Sequence, residues 1–151
     1  MAKKSAIARR ISNRRARYDY DLGDSLIVGL QLTGAETKAL RLGHGSLRGA
    51  YVTIKDSELW LINAQIMGGV GRPITEADQI RNRKLLAKRS EVEKLITVKG
   101  QGQTIVPLEI LNQGRYIKLR IAVGRGKKHR DKREKIKRRQ ASRDIARESK
   151  A

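Results

Sequence analysis

From Ile117 to Val123 the chain alternates, with Ile117, Leu119, Ile121 and Val123 on one side of an extended backbone and Lys118 and Arg120 on the other. Side chains of a strand repeat every two residues, so this segment must lie in a sheet with one apolar and one cationic face. A fold made from such strands has to close around the apolar side and show the basic side to its surroundings. The same alternation recurs in Val52, Ile54, Leu59 and Leu61, which predicts a hairpin of Ala50–Lys55 and Glu58–Ala64 with a two-residue turn at Asp56-Ser57. Ser25–Leu32 predicts a buried strand, and Thr104–Leu111 with Arg115–Val123 a further pair around Asn112-Gln113-Gly114.

Helices punctuate these strands. Thr33-Gly34-Ala35-Glu36 has the form of a capping box, and Gly43 supplies the stop. Ala35, Ala39, Leu40 and Leu42 are expected to pack on the sheet, leaving Lys38 and Arg41 on a solvent-facing stripe. Ser90-Glu91-Val92-Glu93 predicts a second box, opening a helix with Val92, Leu95 and Ile96 on one side and ended by Gly100 and Gly102. Gly68, Gly69, Gly71 and Pro73 make Met67–Gln79 a surface loop. The expected fold class is mainly β with short helices: an oligonucleotide-binding-like barrel of about six strands with two to three helices, ranked ahead of a sandwich.

Charge decides the class of partner. Lys and Arg number 35 against 15 Asp and Glu, a formal net charge of +20, which points to a polyanion and above all to nucleic acid. Residues 1–21 hold seven bases and two acids, residues 22–124 fifteen and nine, and residues 125–151 thirteen and four. The expected organisation is a flexible basic N-terminus (1–12), a barrel (13–124) and a basic C-terminal tail (125–151), free alone and helical on binding. With no cysteine there are no disulfides and no cysteine-type zinc site. No apolar run is long enough to span a membrane. Residues 1–12 are basic without an apolar h-region, and a transit peptide is set aside because the basic run continues into the motif at 13–17, so a cytoplasmic location is expected.

Catalysis finds little support in the residues. His44 and His129 belong to no metal signature, the Gly-x-Gly pairs at Gly100 and Gly124 lack a third glycine, and Glu36, Glu91 and Glu93 are explained by caps and helix dipoles. No catalytic residue, cofactor or metal is expected. Three basic sets can instead meet phosphates: Arg9, Arg10, Arg14, Arg15 and Arg17; Lys38, Arg41, Arg81, Arg83, Lys84, Lys88 and Arg89; and the tail. Aromatics are Tyr18, Tyr20, Tyr51, Tyr116 and Trp60 only, too few for the base-stacking strand of an RNA-recognition motif, so shape and backbone contacts of a folded RNA are the expected target. Tyr18 and Tyr20, two apart, are expected to share one strand face, on a core or rim.

The order of motifs is more specific. Residues 13–20 (Asn-Arg-Arg-Ala-Arg-Tyr-Asp-Tyr), 32–43, Trp60–Ala64, Arg81–Leu86, Val106-Pro107-Leu108 and Gly126-Lys127-Lys128 through Asp131-Lys132-Arg133 resemble, in order and spacing, the SsrA-binding protein family. That resemblance implies a barrel gripping the transfer-RNA-like domain of transfer-messenger RNA, and a tail that becomes helical in the empty messenger channel of the ribosome near the decoding centre. It implies RNA binding by Asn13 and Leu86, with Lys38, Arg41, Arg83 and Lys84 at matching basic positions; with Arg14, Arg15, Arg17, Tyr18, Glu36 and Lys118 these make up the expected RNA-binding set. Its ribosomal set is Gly126, Lys127, Lys128, His129, Arg130, Asp131, Lys132, Arg133, Lys137, Arg138 and Arg139. Implied partners are transfer-messenger RNA, small-subunit rRNA and, through the alanylated RNA, elongation factor Tu, with one protein per RNA. Two departures stand out: Ile27 replaces a common acid two before Gly29, and Arg130 stands where an aromatic or His usually precedes Asp-Lys-Arg, with His129 before it. Either the ring has shifted by one position or the Arg130 guanidinium stacks in its place, the reading favoured here.

Overall fold

The alternating segments come together as one sheet that meets itself. The computed structural model describes residues 10–69, 71, 73–127, 133, 136–141 and 143. Its elements in chain order are β1 (Ile11–Ser12), α1 (Ala16–Asp19), β2 (Tyr20–Leu30), α2 (Gly34–Arg41), β3 (Gly45–Ser46), β4 (Tyr51–Lys55), β5 (Glu58–Ile62), β6 (Gln65–Ile66), α3 (Glu76–Gln79), β7 (Arg83–Leu86), α4 (Arg89–Gly100), β8 (Thr104–Leu111) and β9 (Lys118–Gly126). The main sheet runs β1-β8-β4-β5-β7-β2-β9, and β8 also pairs with β9, so six strands form a closed antiparallel ring. β3 and β6 make a separate small ladder.

Every ring strand sends apolar side chains inward: Val28 and Leu30, Val52, Leu59 and Leu61, Leu85, Ile105 and Ile110, Leu119 and Ile121 form one core. Ala39 and Leu40 of α2 and Val92 and Leu95 of α4 join it. Each buried Val, Leu or Ile among these contributes roughly 1.5–3 kcal/mol, so the closed interior is the main source of stability. Closure also pairs the ring's strand edges, which an open sheet would expose.

Several expectations are corrected. Arg83–Leu86 is assigned no strand from the sequence, yet this segment is β7, the strand that closes the ring between β5 and β2. β9 begins at Lys118 instead of Arg115, because the carbonyls of Asn112, Gly114 and Arg115 accept hydrogen bonds from Arg41 instead of joining a ladder. It also runs on to Gly126, two residues past the expected barrel boundary. α4 starts at Arg89, with the Glu91 carboxylate accepting from the Lys88 N–H at 3.2 Å; Ser90 is inside the helix, and a lysine side chain has no acceptor for the reciprocal bond. Leu42 and Ile96 are exposed instead of packed. α3 interrupts the expected loop, with Thr75 as its cap. Tyr18 lies in α1 and Tyr20 in β2, so the two do not share a strand face.

Candidate nucleic-acid interface

One row of residues crosses the outer sheet. Gly29 of β2 pairs with Lys118 of β9 on one side and with Leu86 of β7 on the other, and directly opposed residues share a face. Leu86 is 53% exposed, and a Cβ at Gly29 would stand 3.0 Å from its Cβ, so the glycine leaves a trough between the lysine and the leucine. Two residues along, Ile27 (46% exposed) opposes Arg120. Ile27, Leu86 and Ile96 of α4 line a groove of about 830 Å³ whose rim carries Lys84, Lys88 and Arg89. Lys84 is half-buried and its Nζ is 3.0 Å from Glu58 Oε1, so one of its donors is already engaged. The same rim also carries Asp56, Glu58, Glu91 and Glu93, so its charge is mixed, and it is the apolar floor that can take base or ribose surface.

Beside Lys118 stands α2. Thr33 and Glu36 make the expected reciprocal cap: the Glu36 N–H donates to Thr33 Oγ1 at 3.3 Å, and the Thr33 N–H to Glu36 Oε1 at 2.9 Å. Gly43, at φ 83°, ends the helix where a side chain would be strained. Lys38 is exposed as expected. Arg41 is corrected: its guanidinium donates to the carbonyls of Gly114 (2.8 Å) and Arg115 (2.9 Å), so it clasps the β8–β9 connection instead of standing free for phosphate. Asn112 donates from Nδ2 to the carbonyl of Leu40 at 2.7 Å, tying the same connection to α2.

Two residues of the expected RNA-binding set face inward. Arg83 is 0% and Glu36 1% exposed, so neither reaches an external RNA. Arg83 spends its fork inside: Nε donates to Glu36 at 2.5 Å, Nη1 to the carbonyls of Ala64 and Arg81, and Nη2 to those of Asp78 and Gln79. Arg81 also pairs with Glu36. Burial alone would raise the Glu36 pKa, but hydrogen bonds from Arg81, the Thr33 N–H and Arg83 outweigh it and hold the carboxyl below its ordinary range. A guanidinium in place of Lys was the missed signal, since a planar fork suits buried multiple carbonyl contacts.

The opening motif lies elsewhere. Tyr20 and Gly29 are at opposite ends of β2, on the order of 30 Å apart at strand rise. Asn13 donates from Nδ2 to the carbonyl of Pro107 at 3.0 Å and its N–H to that of Leu108 at 2.7 Å, pinning the N-terminal segment to β8. Arg14, Arg15 and Arg17 are exposed around α1, and Arg15 sits over the half-buried Tyr18 ring at 5.5 Å from its centroid. With Arg48, Tyr51 and Lys99, which the sequence did not single out for this role, Arg14 and Arg15 line a second open groove of about 920 Å³. Lys127, assigned to the tail, is corrected to a barrel residue: its N–H donates to the Asp19 carbonyl at 2.8 Å and its Nζ to that of Arg17 at 3.0 Å. Gly126 pairs with Tyr20 as the last residue of β9. Arg133, Lys137, Arg138 and Arg139 are helical and exposed; Lys128, His129, Arg130, Asp131 and Lys132 lie outside the described residues. Among the described residues no three His, Cys, Asp or Glu side chains gather as for a metal, and no helix is long and apolar enough to cross a membrane.

A family model described as SmpB protein matches residues 10–151. The chain is 45% identical over 138 residues to the SsrA-binding protein of Trichormus variabilis, covering 89% of this chain and 88% of the relative. It is 40% identical over 139 residues to that of Streptococcus agalactiae, covering 91% and 90%. A chain of the solved structure "tmRNA-SmpB: a journey to the center of the bacterial ribosome" superposes with a TM-score of 0.65 at 36% identity, covering 81% of this chain and 87% of that one.

Proposed function

The chain belongs to the SmpB family, and from that membership we propose that it binds transfer-messenger RNA and delivers it to stalled ribosomes for trans-translation. The observation that carries this is the extent of the likeness: it spans the closed barrel and the basic tail together, and the relatives are named for SsrA binding. The finer reading is ours. The transfer-RNA-like domain lies on the outer face around the Lys118, Gly29 and Leu86 row, reached also by Lys38 and Lys84. The arginines of α1 and the tail, which leaves the barrel beside α1 at Lys127, serve the other end, facing small-subunit rRNA and the empty messenger channel. Helix in the described tail residues supports that placement, since a helical cationic arm can follow an RNA-lined channel. One copy acts per RNA in the cytoplasm, elongation factor Tu joins through the alanylated RNA, and the protein itself performs no covalent step.

Pull-down of the tagged protein with sequencing of bound RNA tests this reading. Transfer-messenger RNA should be the enriched species, and ribosomes should release the protein in a high-salt wash. Recovery of rRNA alone, retained through that wash, would make it a structural ribosomal protein instead.

A further inference from the structure

The β8–β9 connection carries an aromatic that the interface above does not use. Tyr116 is 68% exposed, the most exposed large apolar side chain among those described, and the Arg115 guanidinium lies 5.5 Å from its ring centroid. An exposed tyrosine on a floppy loop would mean little. This one stands on a backbone held from two sides, by the Arg41 guanidinium on the Gly114 and Arg115 carbonyls and by the Asn112 amide on Leu40. Lys118 follows two residues later on the outer face, Lys38 is exposed on the neighbouring helix, and residues 112–120 contain no acid. The surface is thus cationic and continuous with the row through Gly29 to Leu86.

Resting on the reading above, we infer that Tyr116, backed by Arg115, is a stacking platform for one unpaired nucleobase of transfer-messenger RNA, and that Arg41 is the positioning residue that presents it. A tyrosine with a guanidinium on one face keeps the other for a base, and ring–base stacking is sequence-tolerant and insensitive to salt in a way that phosphate contacts are not. Pre-ordering by Arg41 removes the entropy that ordering a loop on binding would cost. The role of Arg41 needs a fork that reaches two carbonyls at once, which a lysine lacks.

The test measures affinity for a transcript of the transfer-RNA-like domain, against a length-matched random RNA, across a salt series. Tyr116→Ala should weaken binding at least about fivefold at every salt concentration, with the slope of log affinity against log salt unchanged. Tyr116→Phe should restore it, whereas Lys118→Gln should make the slope shallower by about one phosphate contact. Arg41→Lys should behave like Arg41→Ala, and Tyr116→Ala added to Arg41→Lys should cost little more, since both act through one platform. Thermal unfolding of each variant separates these effects from loss of fold. Wild-type-like binding by Tyr116→Ala, or a failed rescue by Phe, overturns the stacking assignment. So does an intact RNA affinity coupled to weakened ribosome retention, which would give the base to rRNA. A wild-type chain with no preference for the transfer-RNA-like transcript overturns the functional reading as well.

Discussion

Arginines of the same apparent kind do three different jobs here. Arg83 is an internal strut, Arg41 a clasp on a loop, and Arg14 and Arg17 are exposed cations. Removing one partner of a buried ion pair leaves the other charge uncompensated, so Arg83→Met is expected to cost about 3–5 kcal/mol, read as a lower urea midpoint. The Glu36 carboxyl is held below its ordinary value of about 4.5 in the fold, so its contribution is fully present above that pH. It is lost as pH falls through the lower folded value. Urea melts between pH 5 and 2 should show that acid loss, and Glu36→Gln should remove its share of it at a lower baseline stability. An acid limb unchanged by Glu36→Gln would show that the pair does not set it.

Turns and close crossings fix how the strands meet. Asp56 and Ser57 join β4 to β5 with φ of 52° and 60°, a left-handed pair that favours Asn-Gly. Replacing them by Asn and Gly should stabilise by about 1 kcal/mol, seen as a higher urea midpoint at unchanged slope. At Gly124 a Cβ would lie 2.9 Å from the Asp21 carbonyl oxygen, where β9 crosses β2 beside the irregularity between Leu22 and Ser25. Gly124→Ala should therefore cost about 1–3 kcal/mol by forcing backbone apart, with hydrogen exchange rising along β2 and β9. Protection unchanged in those strands would count against the clash.

The barrel and the tail divide at Lys127, whose contacts belong to α1. Truncation after Lys127 should leave folding and RNA affinity intact and abolish peptide tagging. Truncation after Gly126 should also lower the melting temperature, because the clasp on Arg17 and Asp19 is gone. Loss of RNA affinity in the Lys127 truncation as large as that from charge reversal at Lys38 would contradict the division.

Local pattern was enough for much of this chain. Period-two alternation, the Thr33 cap, the two-residue turn and the charge of +20 were legible because each depends on near neighbours or on composition alone. The motif order carried the family. What needed the fold was every fact that joins distant residues. Arg83–Leu86 becomes a strand only because β5 and β2 flank it, Arg83 and Glu36 turn inward only because they find each other across 47 positions, and Arg41 is spent on carbonyls more than seventy residues away. A charged side chain carries the same local signal whether it faces solvent or a buried partner, and only three-dimensional packing determines which one it meets.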